Sequence, residues 1–161
     1  TQCCGEVGEI CLRGPMCMDG YWDNAKATAE TIDSDGFLHT GDLGSLDVAG
    51  YCRVRGRLRE MIIRGGENVY PVEIENALMT HPDVAMVAVI GVAHARLGQE
   101  VGAVVKLHPG ASAGITELER HVAAYVASFK VPKAWHFVDA MPMTASGKIR
   151  KFELEGIFAP T

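Results

Sequence analysis

Residues 84–92 have the sequence VAMVAVIGV, and residues 101–107 have the sequence VGAVVKL. Apolar runs of this length indicate strands that are buried in a sheet. A third strand is predicted at residues 134–138. Together the three stretches predict a short sheet of about three strands.

Helices are predicted on either side of these strands in the sequence. Pro71 fits the first turn of a helix over about residues 71–80. Thr116–Glu119 have the pattern of a capping box at the start of a second helix, and a short last helix is predicted at residues 151–157. The second helix carries an apolar stripe at helical spacing, formed by Leu118, Val122, Tyr125, Val126 and Phe129. The region from about residue 57 onward is therefore a small α+β unit with helices packed on a short sheet.

The first third of the chain has a different character, since it predicts short strands and turns. A short helix is predicted at residues 23–31, with Asp23 as its N-cap. The predicted strands lie within residues 5–15 and at about 37–39, 44–47 and 51–55. The fold class is thus α+β, with a β-rich segment ahead of the α+β unit.

The composition is that of a globular protein. The 161 residues carry a net charge of −5, which disfavours a nucleic-acid partner. No apolar run approaches the roughly 20 residues that span a bilayer. The five cysteines lack paired Cys-x-x-Cys spacing and the six histidines lack ligand spacing, so no metal site is predicted and reduced thiols in the cytoplasm are expected. Thr1 is not typical of a natural start, so we expect a fragment.

The first candidate site residue is Asp42, in the sequence His39-Thr40-Gly41-Asp42. A carboxylate accepts hydrogen bonds only, and it can hold two neighbouring hydroxyl groups, as in the diol of a ribose. The alternative is a turn aspartate that caps local backbone N–H groups. The tetrapeptide alone favours the turn interpretation.

Arginines alternate just downstream, at Arg53, Arg55, Arg57 and Arg59. In an extended chain this spacing would place them on one face, where guanidinium groups suit phosphate oxygens. They could equally form a solvated strand edge. A strip for nucleic acid is disfavoured by Glu60, by the absence of interleaved aromatic residues and by the net negative charge.

Two glycine-containing segments complete the set of motifs. Gly65-Gly66 opens the sequence GGENVYP, where the lack of Cβ atoms allows either a close approach by a ligand or an ordinary tight turn. Lys148 ends the sequence PMTASGK of residues 142–148. Its ammonium group on a long side chain could reach a carboxylate and a phosphate together, or could simply be an exposed charge. The pattern is not a Walker phosphate loop.

Taken together and in this order, the motifs resemble the C-terminal part of the adenylate-forming enzymes, which include acyl-CoA synthetases, aryl-CoA ligases, peptide-synthetase adenylation domains and luciferases. The resemblance implies a role for each motif residue. Arg59 is a departure, because many relatives have Asp or Lys at this position. The implied roles are ribose binding for Asp42, nucleotide contact for Arg57, the hinge for Arg59, the CoA pantetheine tunnel for Gly65 and Gly66, and catalysis of adenylation for Lys148.

The resemblance also implies a domain organisation and a reaction. Residues 1–57 would be the β-rich end of a large adenylating domain, and residues 58–161 a mobile lid domain that is hinged near Arg59. The parent enzyme would join a carboxylic acid to ATP, with Mg²⁺ bound by residues outside this segment, and pass the acyl group to CoA. The phosphate loop and the acyl pocket would lie upstream, so the chain alone is expected to be inactive.

Two other functions stay open from the sequence. The parent could load a carrier protein instead of CoA, although the GGENVYP segment and the lack of an appended carrier domain favour CoA. The chain could also be a non-catalytic binding module whose arginines dock an acidic partner. The acid that is activated and the oligomeric state are not indicated by any motif.

Overall fold

The computed structural model describes residues 3–158, which form two compact units that divide between Arg59 and Glu60. The first unit contains an antiparallel sheet of three strands in the order β1-β2-β3. A short helix, α1, lies between β1 and β2 in the sequence. The bounds are β1 Gly8–Leu12, α1 Ala25–Thr31, β2 Leu38–Leu46 and β3 Cys52–Arg57.

The two short strands expected at residues 37–39 and 44–47 are a single strand, β2, so that expectation was wrong. The turn-like sequence Thr40-Gly41-Asp42 lies inside the strand because β2 is paired on both sides. Gly41 adopts a φ of +70°, which a glycine accommodates without strain. The pattern of small and polar residues therefore marks an irregular stretch of a strand and not its end.

Helix α1 begins two residues later than predicted, and its N-cap is Asn24 instead of Asp23. The side chain of Asn24 accepts a hydrogen bond from the backbone N–H of Ala27 at 3.0 Å. Asp23 has a φ of +49° and lies outside the helix. Asn and Asp are similarly good N-caps, so the sequence does not distinguish between adjacent residues of these types.

The second unit contains a five-stranded sheet that includes all three predicted strands. The central strand is β7, which pairs with β6 along one edge and with β4 and the parallel β8 along the other. The order β5-β4-β7-β6 includes a β4–β5 hairpin that the sequence did not indicate. The bounds are β4 Ile62–Arg64, β5 Glu67–Val69, β6 Val84–His94, β7 Gly98–Leu107 and β8 Ala134–Phe137.

Two helices of the second unit match their predictions in position but differ at their ends. Helix α2, Pro71–Met79, begins at the predicted proline. Helix α3, Ile115–Ala123, begins after Gly114 without a side-chain cap, so the predicted capping box is absent. It also ends before Tyr125, which is exposed. The predicted last helix is instead a pair of 3-10 turns, Lys151–Glu153 and Glu155–Phe158.

Alternating side chains of the sheet are buried on opposite faces. On β6, Val87 and Val89 pack with helices α2 and α3, while Ala88 and Ile90 pack with Met141 and other residues of the C-terminal segment. A strand that is covered on both faces needs an almost unbroken apolar sequence. This explains why residues 84–92 gave so clear a signal.

None of the helices described here has the length and apolar character needed to cross a membrane.

Candidate functional site

Asp42 and Arg57 face each other as a cross-strand pair of β2 and β3. The Nε atom of Arg57 lies 3.2 Å from Oδ1 of Asp42, and both side chains are half-exposed. The pair places a carboxylate, which can accept hydrogen bonds from hydroxyl groups, next to a guanidinium group that suits phosphate. The structure thus brings together the two residues that the sequence suggested for the nucleotide.

The backbone around Asp42 is held by side chains of its own strand and of β1. The hydroxyl group of Thr40 donates to the carbonyl oxygen of Ile10 at 2.8 Å and accepts from the N–H of Asp42 at 3.0 Å. Glu9 accepts a hydrogen bond from the N–H of Gly41 at 2.9 Å. These hydrogen bonds hold the backbone from which the side chain of Asp42 projects.

His39 connects two carboxylates beside this part of β2, a role that its position in the sequence did not reveal. Its Nδ1 lies 2.7 Å from Oε2 of Glu9, and its Nε2 lies 3.3 Å from Oδ2 of Asp33. Carboxylates only accept, so the doubly protonated ring can donate to both. The hydrogen bond with Glu9, followed by the one with Asp33, raises the pKa of His39 above its ordinary value.

Cys11 lies on the same side of the sheet, and its Sγ is 3.6 Å from Nδ1 of His39. One ligand atom each from Glu9, Cys11 and His39 lie within 4.8 Å of one another. Two ligands of one tetrahedral ion would be about 3.3 Å apart, whereas the oxygen of Glu9 is 2.7 Å from the His39 ring. That shorter distance is typical of a hydrogen bond.

The row of arginines is less regular than the sequence suggested. Arg53, Arg55 and Arg57 lie on β3, but the pairing with β2 shifts by one residue between Val54 and Gly56, which interrupts strict alternation. Arg59 lies beyond the strand, in a 3-10 turn over Leu58–Glu60. The four guanidinium groups therefore do not form a single extended row.

Gly65 and Gly66 form the two-residue turn of the β4–β5 hairpin. Their φ values of +59° and +92° are in the left-handed region that favours glycine. The N–H of Gly65 donates to the carbonyl oxygen of Leu97 at 2.9 Å. A Cβ atom placed on Gly66 would meet nothing within 4 Å, so this side of the turn is open to a ligand.

The hairpin is attached to β7 by a pair of charges that the sequence did not indicate. Arg64 donates to both carboxylate oxygens of Glu100, at 3.0 Å from Nη2 to Oε2. Burial raises the pKa of Glu100, but the hydrogen bonds from Arg64 and from the Val101 N–H lower it by more. Residues 36 apart in the sequence form this contact, and no local pattern predicts such a distant pair.

Lys148 lies at the tip of a small hairpin that we call the lysine hairpin, residues 142–150. The N–H of Thr144 donates to the carbonyl oxygen of Lys148 at 2.8 Å, and the Thr144 hydroxyl accepts from the N–H of Lys148 at 3.0 Å. The side chain of Lys148 is exposed. Within residues 3–158 its ammonium group forms no hydrogen bond or ion pair, so it is available to a ligand.

Lys151, three residues later, is in the opposite situation. Its Nζ lies 2.8 Å from Oε2 of Glu60 and 2.8 Å from Oε1 of Glu75, and its side chain is 22% exposed. Burial lowers the pKa of Lys151, but the charges and hydrogen bonds of Glu75 and Glu60 raise it by more, so the net shift is upward. The sequence showed only a cationic cluster after Gly147.

Comparison with known proteins agrees with these motifs. Residues 73–148 match the family described as "AMP-binding enzyme C-terminal domain". The human medium-chain acyl-CoA ligase ACSF2, named as mitochondrial, is 42% identical over 147 residues, which cover 91% of this chain and 24% of that protein.

Solved structures give the same result for the fold. ATP-bound MatB from Rhodopseudomonas palustris superposes with a TM-score of 0.89 at 38% identity, over 98% of this chain and 31% of that one. The amide bond synthetase McbA from Marinactinospora thermotolerans has a TM-score of 0.90 at 36% identity, over 99% of this chain and 32% of that one. The chain thus spans a quarter to a third of its relatives' length. It belongs to the adenylate-forming, AMP-binding superfamily and corresponds to the C-terminal part of these enzymes.

Proposed function

We propose that this chain is the C-terminal part of an ATP-dependent acyl-CoA synthetase. In the first step a carboxylate oxygen attacks the α-phosphorus of ATP, the new O–P bond forms, and the bond to pyrophosphate breaks. The observation that carries the proposal is the exposed ammonium group of Lys148, which stands on a hydrogen-bonded hairpin and has no partner among the described residues.

Lys148 has the charge that this step needs. The reaction brings a carboxylate and a phosphate, both anionic, into contact, and a cation placed between them lowers the barrier. Asp42 would hold the ribose hydroxyls and Arg57 a phosphate oxygen, in keeping with their cross-strand contact of 3.2 Å. All three roles are assigned by the resemblance of the motifs, and the local geometry is compatible with each.

Among residues 3–158, the one group of three potential ligand residues does not suit Mg²⁺. The Glu9–Cys11–His39 group offers a carboxylate oxygen, a thiol and an imidazole, whereas Mg²⁺ prefers oxygen ligands in octahedral geometry. We therefore place any Mg²⁺ ligands of the parent enzyme outside this segment and derive no step from the ion.

In the second step the thiol of CoA would attack the acyl carbonyl carbon. The C–S bond forms, the bond from carbon to the phosphate oxygen breaks, AMP leaves, and the thiol proton passes to solvent. The open side of the Gly66 turn would admit the pantetheine arm. The two steps need different groups at one centre, and the division of the chain between Arg59 and Glu60 supports a hinge at Arg59.

The test uses the full-length parent enzyme with a panel of short, long and aromatic acids. Lys148→Ala should lower the rate of acid-dependent pyrophosphate release on the order of 10²–10³-fold, by analogy with the loss of one oxyanion donor. Thioester formation from supplied acyl adenylate and CoA should be much less affected. Lys133→Ala is the matched control, because Lys133 is an exposed lysine of the same unit. Unchanged pyrophosphate release in Lys148→Ala would contradict the proposal and favour a non-catalytic binding module.

The acceptor is a separate question, because one structural neighbour is named as an amide bond synthetase. CoA is our proposal on the basis of the GGENVYP segment. Supplying the parent enzyme with CoA, an acyl carrier protein and a small amine in parallel would measure the preference. Faster acyl transfer to the carrier protein or to the amine than to CoA would contradict the choice of CoA and leave the adenylation step intact.

We also propose a cytoplasmic location, although the human relative is named as mitochondrial.

A further inference from the structure

Lys151 is a half-buried cation that the proposed reaction does not use. Its ammonium group is shared between Glu60 and Glu75, each at 2.8 Å. The same Oε1 atom of Glu75 also accepts a hydrogen bond from the N–H of Val89 at 2.8 Å. We call Lys151, Glu60 and Glu75 the lysine triad. It ties three parts of the second unit together, namely its first residue, helix α2 and the C-terminal segment.

The lysine triad lies directly at the base of the lysine hairpin. The N–H of Arg150 donates to the carbonyl oxygen of Pro142 at 2.8 Å, which closes the hairpin one residue before Lys151. Further along, Met143 and Ile149 form an antiparallel bridge, and the bonds between Thr144 and Lys148 close the tip. Because these cross-links run from base to tip, a displacement of the base displaces Lys148.

Through Glu60, the lysine triad also reaches the proposed hinge. Glu60 follows Arg59, the proposed hinge residue, and it begins the second unit. The contact between Glu60 and Lys151 joins residues 91 positions apart. A cation bonded to two carboxylates at low exposure holds its partners more firmly than an exposed pair does.

We propose that Lys151 is a positioning residue, which fixes the lysine hairpin to Glu60 and Glu75 so that Lys148 and the hinge end of the unit move as one rigid piece. The proposal rests on the proposed function for the role of Lys148, but the rigid connection itself does not depend on it. Apolar packing of Met143 and Ile149 against Ala88, Ile90 and Val104 is the competing explanation for the position of the hairpin.

Amide hydrogen exchange on this chain separates the two explanations. In Lys151→Met, the N–H groups of Thr144, Lys148 and Arg150 should exchange about tenfold faster or more, because the anchor of the hairpin is lost. Amides of the β6–β7 ladder, such as Val104, should keep their rates. Lys151→Arg, which retains the charge and the donors, should restore slow exchange.

Two outcomes would overturn the proposal. Unchanged exchange in the hairpin would mean that apolar packing alone holds it, and an equal acceleration in the hairpin and the ladder would mean that Lys151 contributes only to general stability. Should Lys151→Met fail to fold, Glu60→Gln gives the same comparison, because it weakens one arm and leaves Lys151 paired with Glu75. Lys133→Met is the matched control, since Lys133 contacts Glu119 at 3.9 Å at the surface.

A catalytic measurement on the full-length parent adds a second, independent readout. Lys151→Met should lower kcat for pyrophosphate release on the order of 10²-fold, the effect of a misplaced catalytic group, while KM for ATP stays near its original value. A rise in KM with unchanged kcat would contradict the positioning role. If Lys148→Ala has no effect on the parent, the proposed function fails. The exchange experiment on Lys151 still tests the attachment of the lysine hairpin, because it does not depend on catalysis.

Discussion

Asp42 and Arg57 contact each other at the surface of the first unit, yet their contact contributes little to stability. Exposed ion pairs are worth about 0–1 kcal/mol, because water screens the charges and two long side chains lose freedom. Hydrogen bonds from a ligand to a charged group are worth about 1.5–3 kcal/mol. The stability of the fold therefore does not require this pair, and its proposed role is to bind the nucleotide.

The substitution Asp42→Asn tests this at the level of one carboxylate. Hydrogen bonds to a charged group are worth about 1.5–3 kcal/mol, so affinity of the full-length enzyme for AMP should fall about 10- to 100-fold. Calorimetric titration with AMP measures it, and the thermal midpoint of the full-length enzyme should stay almost unchanged, because an exposed ion pair contributes only about 0–1 kcal/mol. Arg53→Gln, on the same strand as Arg57, should leave the affinity unchanged. A large loss of stability without a loss of affinity would assign Asp42 a purely structural role in the β2–β3 pair.

His39 gives a second prediction, which concerns pH. Its folded-state pKa is raised, so the folded state holds the proton more tightly than the unfolded state. This stabilisation is complete below the ordinary pKa near 6.5 and is lost as the pH rises through the raised pKa. The thermal midpoint of the full-length parent, in which the first unit is part of a larger fold, should therefore fall over that range, and His39→Gln should flatten that part of the profile. A wild-type profile that stays level there would show that His39 binds its proton equally well in the folded and unfolded states, and it would contradict the raised pKa.

At low pH the same cluster acts in the opposite direction. The hydrogen bond from His39 lowers the pKa of Glu9, and the backbone bond from Phe37 is the largest cause that lowers the pKa of Asp33. These contributions are present above the ordinary carboxyl pKa and are lost as the pH falls through the lowered values. The cluster is therefore most stabilising between the two ranges.

Among the elements, those with long uniform patterns could be predicted and the short ones could not. The strands β6 and β7 are buried on both faces, so their sequences are almost wholly apolar, and Pro71 marks the start of α2. Strands β4 and β5 have only three residues each, too few for a periodic pattern. They form because Gly65-Gly66 turns the chain and β7 offers a free edge.

The candidate site shows the same limit at a longer range. Asp42, Arg57 and Lys148 belong to local motifs and could be named from the sequence. The pairs that hold these segments, Arg64 with Glu100 and Lys151 with Glu60, join residues 36 and 91 positions apart. At such separations along the sequence, each of these residues has many possible partners of opposite charge. Only the packed structure selects one of them.

The β4–β5 turn allows a prediction about one element. Gly66 has a φ of +92°, and a Cβ atom at this position would have no neighbour within 4 Å, so Gly66→Ala adds backbone strain without a clash. It should lower the free energy of unfolding by about 1–2 kcal/mol, measured by urea denaturation. Gly66→Asn should cost less, because asparagine tolerates this region better. The control is Gly156→Ala, where the space is also open and φ is not in the left-handed region. Equal effects at the two positions would contradict a conformational role for Gly66.

At the scale of the whole chain, the two units differ in how well each can be stable alone. The second unit has apolar clusters on both faces of its sheet. Among residues 3–59 the apolar side chain that is nearly fully buried is Leu43 alone, whereas Trp22 is 98% and Val48 95% exposed. A three-stranded sheet without a covered face cannot offset the entropy of ordering its chain. We therefore expect the first unit to need contacts outside residues 3–59 for its stability.

Expressing the units separately tests this difference. We expect residues 60–161, which keep Glu60 for Lys151, to show a dispersed amide spectrum and a cooperative thermal transition. Residues 1–59 should give a poorly dispersed spectrum and no cooperative transition. Leu118→Ala in the second fragment is an internal check, since removing a fully buried leucine should cost about 2–5 kcal/mol. A cooperative transition in the first fragment would mean that its sheet is stable without further residues. The physical reason for proposing that residues 1–57 are the end of an adenylating domain would then be lost.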